Sequence, residues 1–343
     1  MRPIILLVLV GVGLAAASVS GAAAAASELN LYSARHYYSD DALYEGFTKA
    51  TGIKVNRVEA SGDKLLARIR QEGRNSPADV LVVVDAGNLW LAEREGFFRP
   101  VRAKGIEDRI PARLRHPDGL WFGFSTRARI IVYNKDTVKA ADAPKRYEDL
   151  ADPRWKGKVC MRSSASVYNL SLMASLIHYL GEEKAESWAR GLVANFARDP
   201  KGGDTDQIRA IAAGECAVTL ANTYYLARLM KSDKDADRAV AAKIGAVFPN
   251  QGDRGTHVNV SGAGVLANAP NPENAVRFLE YLLGPEAQTL FAGSNNEYPV
   301  APGVAADSAL AKLGNFKADS LGIHVLGENQ ARAQKAYDRA GFK

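Results

Sequence analysis

The chain has 343 residues, of which 24% are charged and 47% hydrophobic, and its formal net charge is +6. That composition excludes a disordered or membrane-embedded class, and the length suits about two domains at roughly 100–200 residues each. Acidic residues such as Asp40, Asp41, Asp204 and Asp206 are interleaved with the basic ones, so no Lys/Arg stripe forms and no nucleic-acid partner is expected.

Residues 1–26 begin with Met1-Arg2-Pro3, continue through an apolar run from Ile4 to Ala17 and end in small residues, Ala22 to Ala26. This is the pattern of a secretory signal peptide cleaved near Ala26, and the run is shorter than the roughly 20 residues of a spanning helix. No Cys follows the run and Arg2 stands alone, so neither a lipid anchor nor a twin-arginine signal is expected. Export places Cys160 and Cys216 in an oxidising compartment; lacking C-x-x-C spacing, they are expected to form a disulfide rather than a metal pair.

From Leu29 onward, short β-rich runs alternate with amphipathic helical stretches. Leu29–Tyr32 precedes a helix over Asp41–Ala50, then come Ile53–Val55 and a helix over Asp63–Glu72. The continuous apolar run Val80–Val84 reads as a parallel strand buried on both faces, and the alternation points to an α/β fold built from βαβ units. Phe122–Tyr133 is a long β-rich stretch able to cross from one lobe to another. Further on, the predicted elements are a strand Lys158–Met161, a helix Val167–Leu180, a strand Cys216–Leu220 and a helix Thr223–Met230. His257–Leu266 is a second crossing β segment, and Asn274–Phe291 and Leu310–Arg339 are predicted helical.

Thirteen tyrosines are present, and most, including Tyr44, Tyr133, Tyr179 and Tyr281, sit in apolar-periodic contexts that suit the core. His36, Tyr37, Tyr168, Tyr224 and Tyr225 differ. Each follows a predicted strand end and sits at or just before a helix start, which is where open α/β sheets bind ligands and where the helix dipole favours anions. Adjacent residues on a first helical turn are about 100° apart, so Tyr224 and Tyr225 can converge on one ion. Asn222 and Thr223 are candidate N-caps for that helix. Tyr168 and Tyr224 each fall eight residues after a cysteine, so a Cys160–Cys216 bridge would fix their loops in relation to each other. The other histidines, His116, His178, His257 and His324, show no ligand spacing.

A phenol has a pKa of about 10, so ionising it at neutral pH costs roughly 4 kcal/mol, and three or four such ligands demand about 12–16 kcal/mol from the cation. Mg²⁺ and Ca²⁺ prefer carboxylates and water, and Zn²⁺ prefers Cys and His. A small hard trivalent cation fits, and Fe(3+) is the abundant one. Four phenolates would leave the site negative, a charge that Arg35 or Arg127 can balance.

The segments Leu29-Asn30-Leu31-Tyr32-Ser33-Ala34-Arg35-His36-Tyr37, Pro77-Ala78-Asp79-Val80 and Ala221-Asn222-Thr223-Tyr224-Tyr225 resemble the ferric-ion-binding proteins of bacterial iron ABC transporters. The similarity runs over essentially the whole mature chain and is strongest to the tyrosine-rich, anion-independent subgroup found in cyanobacteria. The resemblance implies a transferrin-like, type 2 periplasmic binding protein fold: two α/β lobes joined by two β crossovers, here near Phe124–Tyr133 and Val258–Leu266. Lobe 1 is then 27–126 with 262–310, and lobe 2 is 127–261 with 311–343. It further implies metal ligands His36, Tyr37, Tyr168, Tyr224 and Tyr225, a periplasmic monomer, and partners in the permease and ATPase subunits of an ABC transporter. Tyr168 occupies the place that other members leave for an anion, so an anion-free site is expected. Tyr38 departs from the family pattern, and which of Tyr37 and Tyr38 faces the cleft stays open. An oxyanion- or polyamine-binding protein of the same fold is the alternative. With no G-x-S-x-G, H-E-x-x-H or P-loop pattern, an enzyme is not expected.

Overall fold

The computed structural model describes residues 27–35 and 39–343. The expected signal peptide (1–26) and residues His36, Tyr37 and Tyr38 lie outside the described residues. Strand β1 (Glu28–Ser33), a helix Asp40–Thr51, strand β2 (Lys54–Glu59), a helix Gly62–Glu72 and strand β3 (Val80–Val84) open the fold. β1 pairs in parallel with β2 on one side and β3 on the other. All five β3 residues are buried, as a strand covered by helices on both faces requires. The first helix carries Asp40 and Asp41 in its first turn and stops at Gly52, whose left-handed φ of 73° lets its N–H reach Thr48 O.

β4 (Phe122–Asn134) is thirteen residues long and belongs to both halves of the molecule. Its second half pairs antiparallel with β5 (Val218–Asn222) and β6 (Ile244–Val247), and its first half with β7 (Val258–Val265) and β8 (Tyr298–Pro299). β7 also pairs antiparallel with β3, giving the order β2-β1-β3-β7-β4-β5. β4 and β7 are therefore the two expected crossovers between lobes. One core gathers Leu31, Phe47, Val80, Trp121, Phe124, Val260 and Phe278. On the other side of the crossovers, Ile131 packs with Leu172, Met173, Leu176 and Trp188, while Ile130 and Val132 pack with Ile208, Leu226 and Leu229. That split follows the period of two along a strand, which sends neighbouring side chains to opposite faces.

Three predicted elements differ from the structure. Lys158–Met161 forms no regular strand; Val159 makes isolated parallel bridges to Val218 and Phe196, because its flanking amides divide their bonds between Asn195 O and Val218 O. The stretch predicted helical over Asn274–Phe291 is helical but divided in two, Pro272–Leu282 and Pro285–Gly293, since Pro285 has no N–H to continue the ladder. Leu310–Arg339 resolves into helices Ser308–Ala311, His324–Glu328 and Gln330–Ala340. Between the first two, the chain turns at Gly314 (φ 95°) and bonds alongside Thr256 through Lys317 O and Asp319 N. This last stretch touches several cores in turn: Leu310 packs with Ala227, Ile323 and Leu326 with the first core, and Ala333, Ala336 and Tyr337 with Leu176 and Trp188.

Cys160 and Cys216 form a disulfide with Cα atoms 5.8 Å apart across a sequence separation of 56 residues. It ties the segment before the helix Val167–Leu180 to the base of β5, so the loops carrying Tyr168 and Tyr224 start from one covalent anchor. Closing a loop of this length stabilises the native state by about 4 kcal/mol in the chain-entropy account. The Cys160→Ser/Cys216→Ser variant should therefore unfold at clearly lower denaturant concentration than wild type, and an unchanged midpoint would contradict a stabilising crosslink.

Candidate metal centre

β5 ends at Asn222 and the helix Thr223–Lys231 begins at the next residue, so Tyr224 and Tyr225 fall on its first turn. Tyr168 is likewise the second residue of helix Val167–Leu180. The two short connections bring the phenols together: Tyr224 Oη donates to Tyr168 Oη at 3.1 Å, and the Tyr224 and Tyr225 rings lie 4.3 Å apart at 34°. Tyr168 and Tyr224 are buried, 8% and 1% exposed, while Tyr225 is half-buried. The expected capping by Asn222 or Thr223 does not occur. Asn222 makes no side-chain cap bond; its Oδ1 accepts from Arg129 at 3.2 Å and its Nδ2 faces Tyr224 Oη at 3.5 Å. Thr223 Oγ1 accepts from the Ala128 N–H at 3.3 Å. Buried donors on β4 compete for these oxygens and win them from the helix end.

Guanidinium groups surround the phenols. Arg162 and Arg129 stand 4.9 and 5.9 Å from the Tyr168 ring centre, Arg127 stands 5.8 Å from that of Tyr224, and Arg228 stands 5.9 and 5.8 Å from those of Tyr224 and Tyr225. Two fully buried carboxylates offset part of this charge. Asp204 pairs with Arg129 at 2.6 Å and Arg162 at 3.2 Å and accepts the Asn222 N–H at 2.9 Å. Glu297 pairs with Arg127 at 2.5 Å and Arg35 at 3.4 Å. Burial and the neighbouring Tyr225 push the Tyr168 phenol above its ordinary value, with Arg127 and the Tyr224 hydrogen bond pulling the other way. At neutral pH this phenol is therefore protonated, and a cation that binds it has to displace the proton.

Of the five sequence-predicted ligands, Tyr168, Tyr224 and Tyr225 come together, and His36 and Tyr37 lie outside the described residues. The described residues on either side of them are tied to one another. Arg35 makes a two-point contact with Asp40, Nε to Oδ2 at 2.7 Å and a second guanidinium nitrogen to Oδ1 at 3.2 Å; Ser39 donates to Asn295, which in turn donates to Asp40 at 3.1 Å. The two arginines expected to balance the phenolates are both buried, and both meet Glu297. Arg129, Arg162, Arg228, Asp204 and Glu297 were not singled out from the sequence. Arg127 and Arg129 had a legible signal, charges inside an otherwise apolar strand, which require buried partners.

A separate contact joins the lobes. Asp85 caps the helix Ala86–Arg94 through Gly87 N at 2.9 Å, accepts from Ser171 Oγ at 2.6 Å on the second-lobe helix and from Asn259 Nδ2 at 2.8 Å on β7, and holds a positive φ of 77°. Among the described residues, no group of three or more His, Cys, Asp or Glu side chains forms a metal-binding cluster. A surface hollow of about 610 Å³ beside Trp155, Lys158 and Cys216 lies at the opposite end of β5 from the phenols and has no tyrosine in its lining.

Residues 75–317 match the family of bacterial extracellular solute-binding proteins. The iron uptake protein A1 of Synechocystis sp. is 52% identical over 92% of this chain and 88% of its own length. The Fe(3+)-binding periplasmic protein of Serratia marcescens is 28% identical over 91% and 90%. Among solved structures, the Trichodesmium protein (IdiA, FutA) in complex with iron and citrate ligands superposes with a TM-score of 0.89 at 55% identity, covering 92% of this chain and all of that one. The ferric binding protein from Campylobacter jejuni gives 0.88 at 42% identity, with the same coverage. The chain thus belongs to the bacterial extracellular solute-binding protein family and has the two-lobed, type 2 periplasmic binding fold.

Proposed function

We propose that this protein captures ferric iron in the cleft between its lobes through the phenolates of Tyr168, Tyr224 and Tyr225 together with His36 and Tyr37, and delivers it to an ABC permease. The carrying observation is the convergence of three phenols from two helix starts, with Tyr224 and Tyr168 at 3.1 Å, inside a shell of four guanidiniums. Ionising three phenols at neutral pH costs roughly 12 kcal/mol, which a hard trivalent ion can offset and which the surrounding positive charge lowers. The iron named for the relatives from Synechocystis, Serratia and Trichodesmium supports the same cargo. A polyamine fits poorly, because the two carboxylates beside the phenols are already engaged by arginines and the remaining charge would repel a cationic ligand.

On this reading the protein works as a monomer in the periplasm after cleavage near Ala26, with the permease and its ATPase subunits as partners. The proposed lobes are 27–126 with 262–310 and 127–261 with 311–343. The membership of the cores supports this division up to Ala301, after which the chain packs alternately on both lobes. Iron contacts both lobes at once in the closed state alone, so loading would shift the hinge population toward closure.

Ferric citrate added to the purified protein should produce a visible phenolate-to-iron charge-transfer band, and a colourless mixture would reject the iron reading. Because each protonated phenol releases a proton on binding, affinity should fall as pH falls, by up to about tenfold per pH unit for every proton displaced. Competition with a chelator between pH 8 and 5 measures this slope, and a flat profile would exclude phenolate ligation. Tyr224→Phe/Tyr225→Phe removes two oxygens and little else. It should abolish most of the band and weaken binding beyond the roughly 10–100-fold loss that follows removal of an outer hydrogen-bond partner of a metal ligand.

A further inference from the structure

Asp85 stands between β3 and the helix Ala86–Arg94 in the first lobe, fully buried, at a φ of 77° that few residues other than glycine adopt. Such a backbone persists where its surroundings fix it, and the Asp85 carboxyl has three partners on three different elements. Oδ1 accepts the Gly87 N–H at 2.9 Å and the Ser171 hydroxyl at 2.6 Å, and Oδ2 accepts Asn259 Nδ2 of β7 at 2.8 Å. Asn259 Oδ1 in turn accepts the Ala86 N–H at 2.8 Å, so the helix start and the crossover strand are bound to each other twice. Burial pushes the Asp85 carboxyl up, and the Ser171 hydroxyl leads the groups that pull it back, ahead of the Gly87 N–H, Arg127 and Asn259.

Gly87 and Asn259 complete a junction between the first lobe and β7; Ser171 comes from the second lobe. It lies on the helix Val167–Leu180, three residues after Tyr168, and residues three apart on a helix are neighbours on its surface. A serine inside a helix can give its hydrogen to the carbonyl four residues back, yet this one, 1% exposed, gives it to a carboxyl of the other lobe. From the second lobe the same turn is held through Asn169, whose Oδ1 accepts from Arg129 at 2.9 Å and whose carbonyl accepts from Tyr337 Oη at 3.1 Å. The turn that carries Tyr168 is thus held from both lobes. Its phenol meets Tyr224 Oη at 3.1 Å, a contact that a helix displacement of about 1 Å would break.

We propose that Asp85 is a positioning residue of the metal centre: through the Ser171 hydroxyl it holds the first turns of helix Val167–Leu180 against the first lobe and β7, and so sets where the Tyr168 phenol stands beside Tyr224. This rests on the ferric reading above, in which Tyr168 is a ligand. Capping the helix Ala86–Arg94 requires the bond to Gly87 alone; the bond to Ser171 adds a link from the first lobe to a second-lobe ligand.

The test uses the full mature chain and ferric citrate. Ser171→Ala removes one hydroxyl and puts a better helix former in its place. It should lose ferric affinity about tenfold in chelator competition and show a weaker charge-transfer band per bound iron, because Tyr168 no longer meets the ion with the other phenols. In a Tyr168→Phe background the same Ser171→Ala change should lower affinity no further, since both changes act on one oxygen. Wild-type affinity and band in Ser171→Ala would overturn the proposal. So would losses that add in the double variant, because a merely structural hydroxyl weakens binding whether or not the phenol is present. Should Ser171→Ala fail to fold, Asp85→Gly removes the carboxyl from the other side of the bond at a backbone angle that glycine accepts. It should weaken the band in the same way, and an unaltered band there would overturn the proposal. A wild-type protein without a band, or Tyr168→Phe with the full band, would reject the ferric reading or the place of Tyr168 in it, and the proposal with it. A band that Tyr168→Phe weakens and Ser171→Ala leaves intact would sink the proposal alone.

Discussion

Strand β4 carries two guanidiniums, Arg127 and Arg129, through the middle of the protein, both about 1% exposed. Taking such ions out of water costs several kcal/mol each unless carboxylates and further hydrogen bonds meet them there. The fold answers with Asp204 for Arg129 and Glu297 for Arg127, drawn from 75 and 170 residues away. Because the two arginines are two residues apart on a strand, they emerge on one face, and the carboxylates that neutralise them bring their own elements to that face. Asp204 arrives at the start of helix Asp204–Ala212 and also holds the N–H of Asn222, the last residue of β5 and two before Tyr224. The position of the phenols is thus a consequence of how β4's charges are satisfied.

The same strand explains why two lobes can act as a unit. β4 and β7 run side by side from Phe122 opposite Ala263 to Ala128 opposite Val258, and the two ends of that pairing belong to different cores, Phe122 and Ala263 to one and Ala128 and Val258 to another. Asp85 adds a polar contact near this crossing, where its carboxylate meets a second-lobe hydroxyl and a β7 amide. A non-glycine residue at positive φ carries a conformational cost, which persists where the surroundings fix it. Here Gly87, Ser171 and Asn259 supply those constraints. A ligand that touches both lobes biases a hinge of this type by its extra contacts in the closed form alone.

The sequence announced the scaffold better than the centre. Val80–Val84 reads as a doubly buried strand because nothing polar interrupts it, and Phe122–Tyr133 as a crossing because it is too long for one small sheet; both are as expected. Tyr168 and the Tyr224-Tyr225 pair were legible as residues at helix starts, although only the pair follows a regular strand. What could not be read is whatever depends on distant partners. Glu297 sits among asparagines that give no periodic signal, and its bonds to Arg35, Arg127 and Ser261 exist only once β1, β4 and β7 are assembled around it. The N-caps failed for a related reason: Asn222 and Thr223 have the right chemistry for a helix end, but buried donors at Arg129 and Ala128 claim their oxygens first. The helical reading of Leu310–Arg339 breaks down between Gly314 and Gly322, where bonding along Thr256 outweighs local helical propensity.

On the ligand set proposed above, placing phenols among arginines settles a conflict that any carrier of a hard cation faces. Carboxylates ionise without cost at neutral pH and would hold many divalent ions present in excess, whereas phenols stay protonated until a cation strong enough to displace the proton arrives. The burial that raises the Tyr168 phenol sharpens that selection, and Arg127 nearby keeps the barrier from becoming prohibitive. Arg162, Arg129 and Arg228 do the same for the cluster as a whole, since their positive charge favours phenolates while repelling a weakly bound cation that cannot ionise them. Asp204 and Glu297 offset part of that charge through their ion pairs with Arg129 and Arg127. If these phenols are the ligands, selectivity and release have one origin: the protons that must leave for the cargo to enter are the ones whose return lets it go.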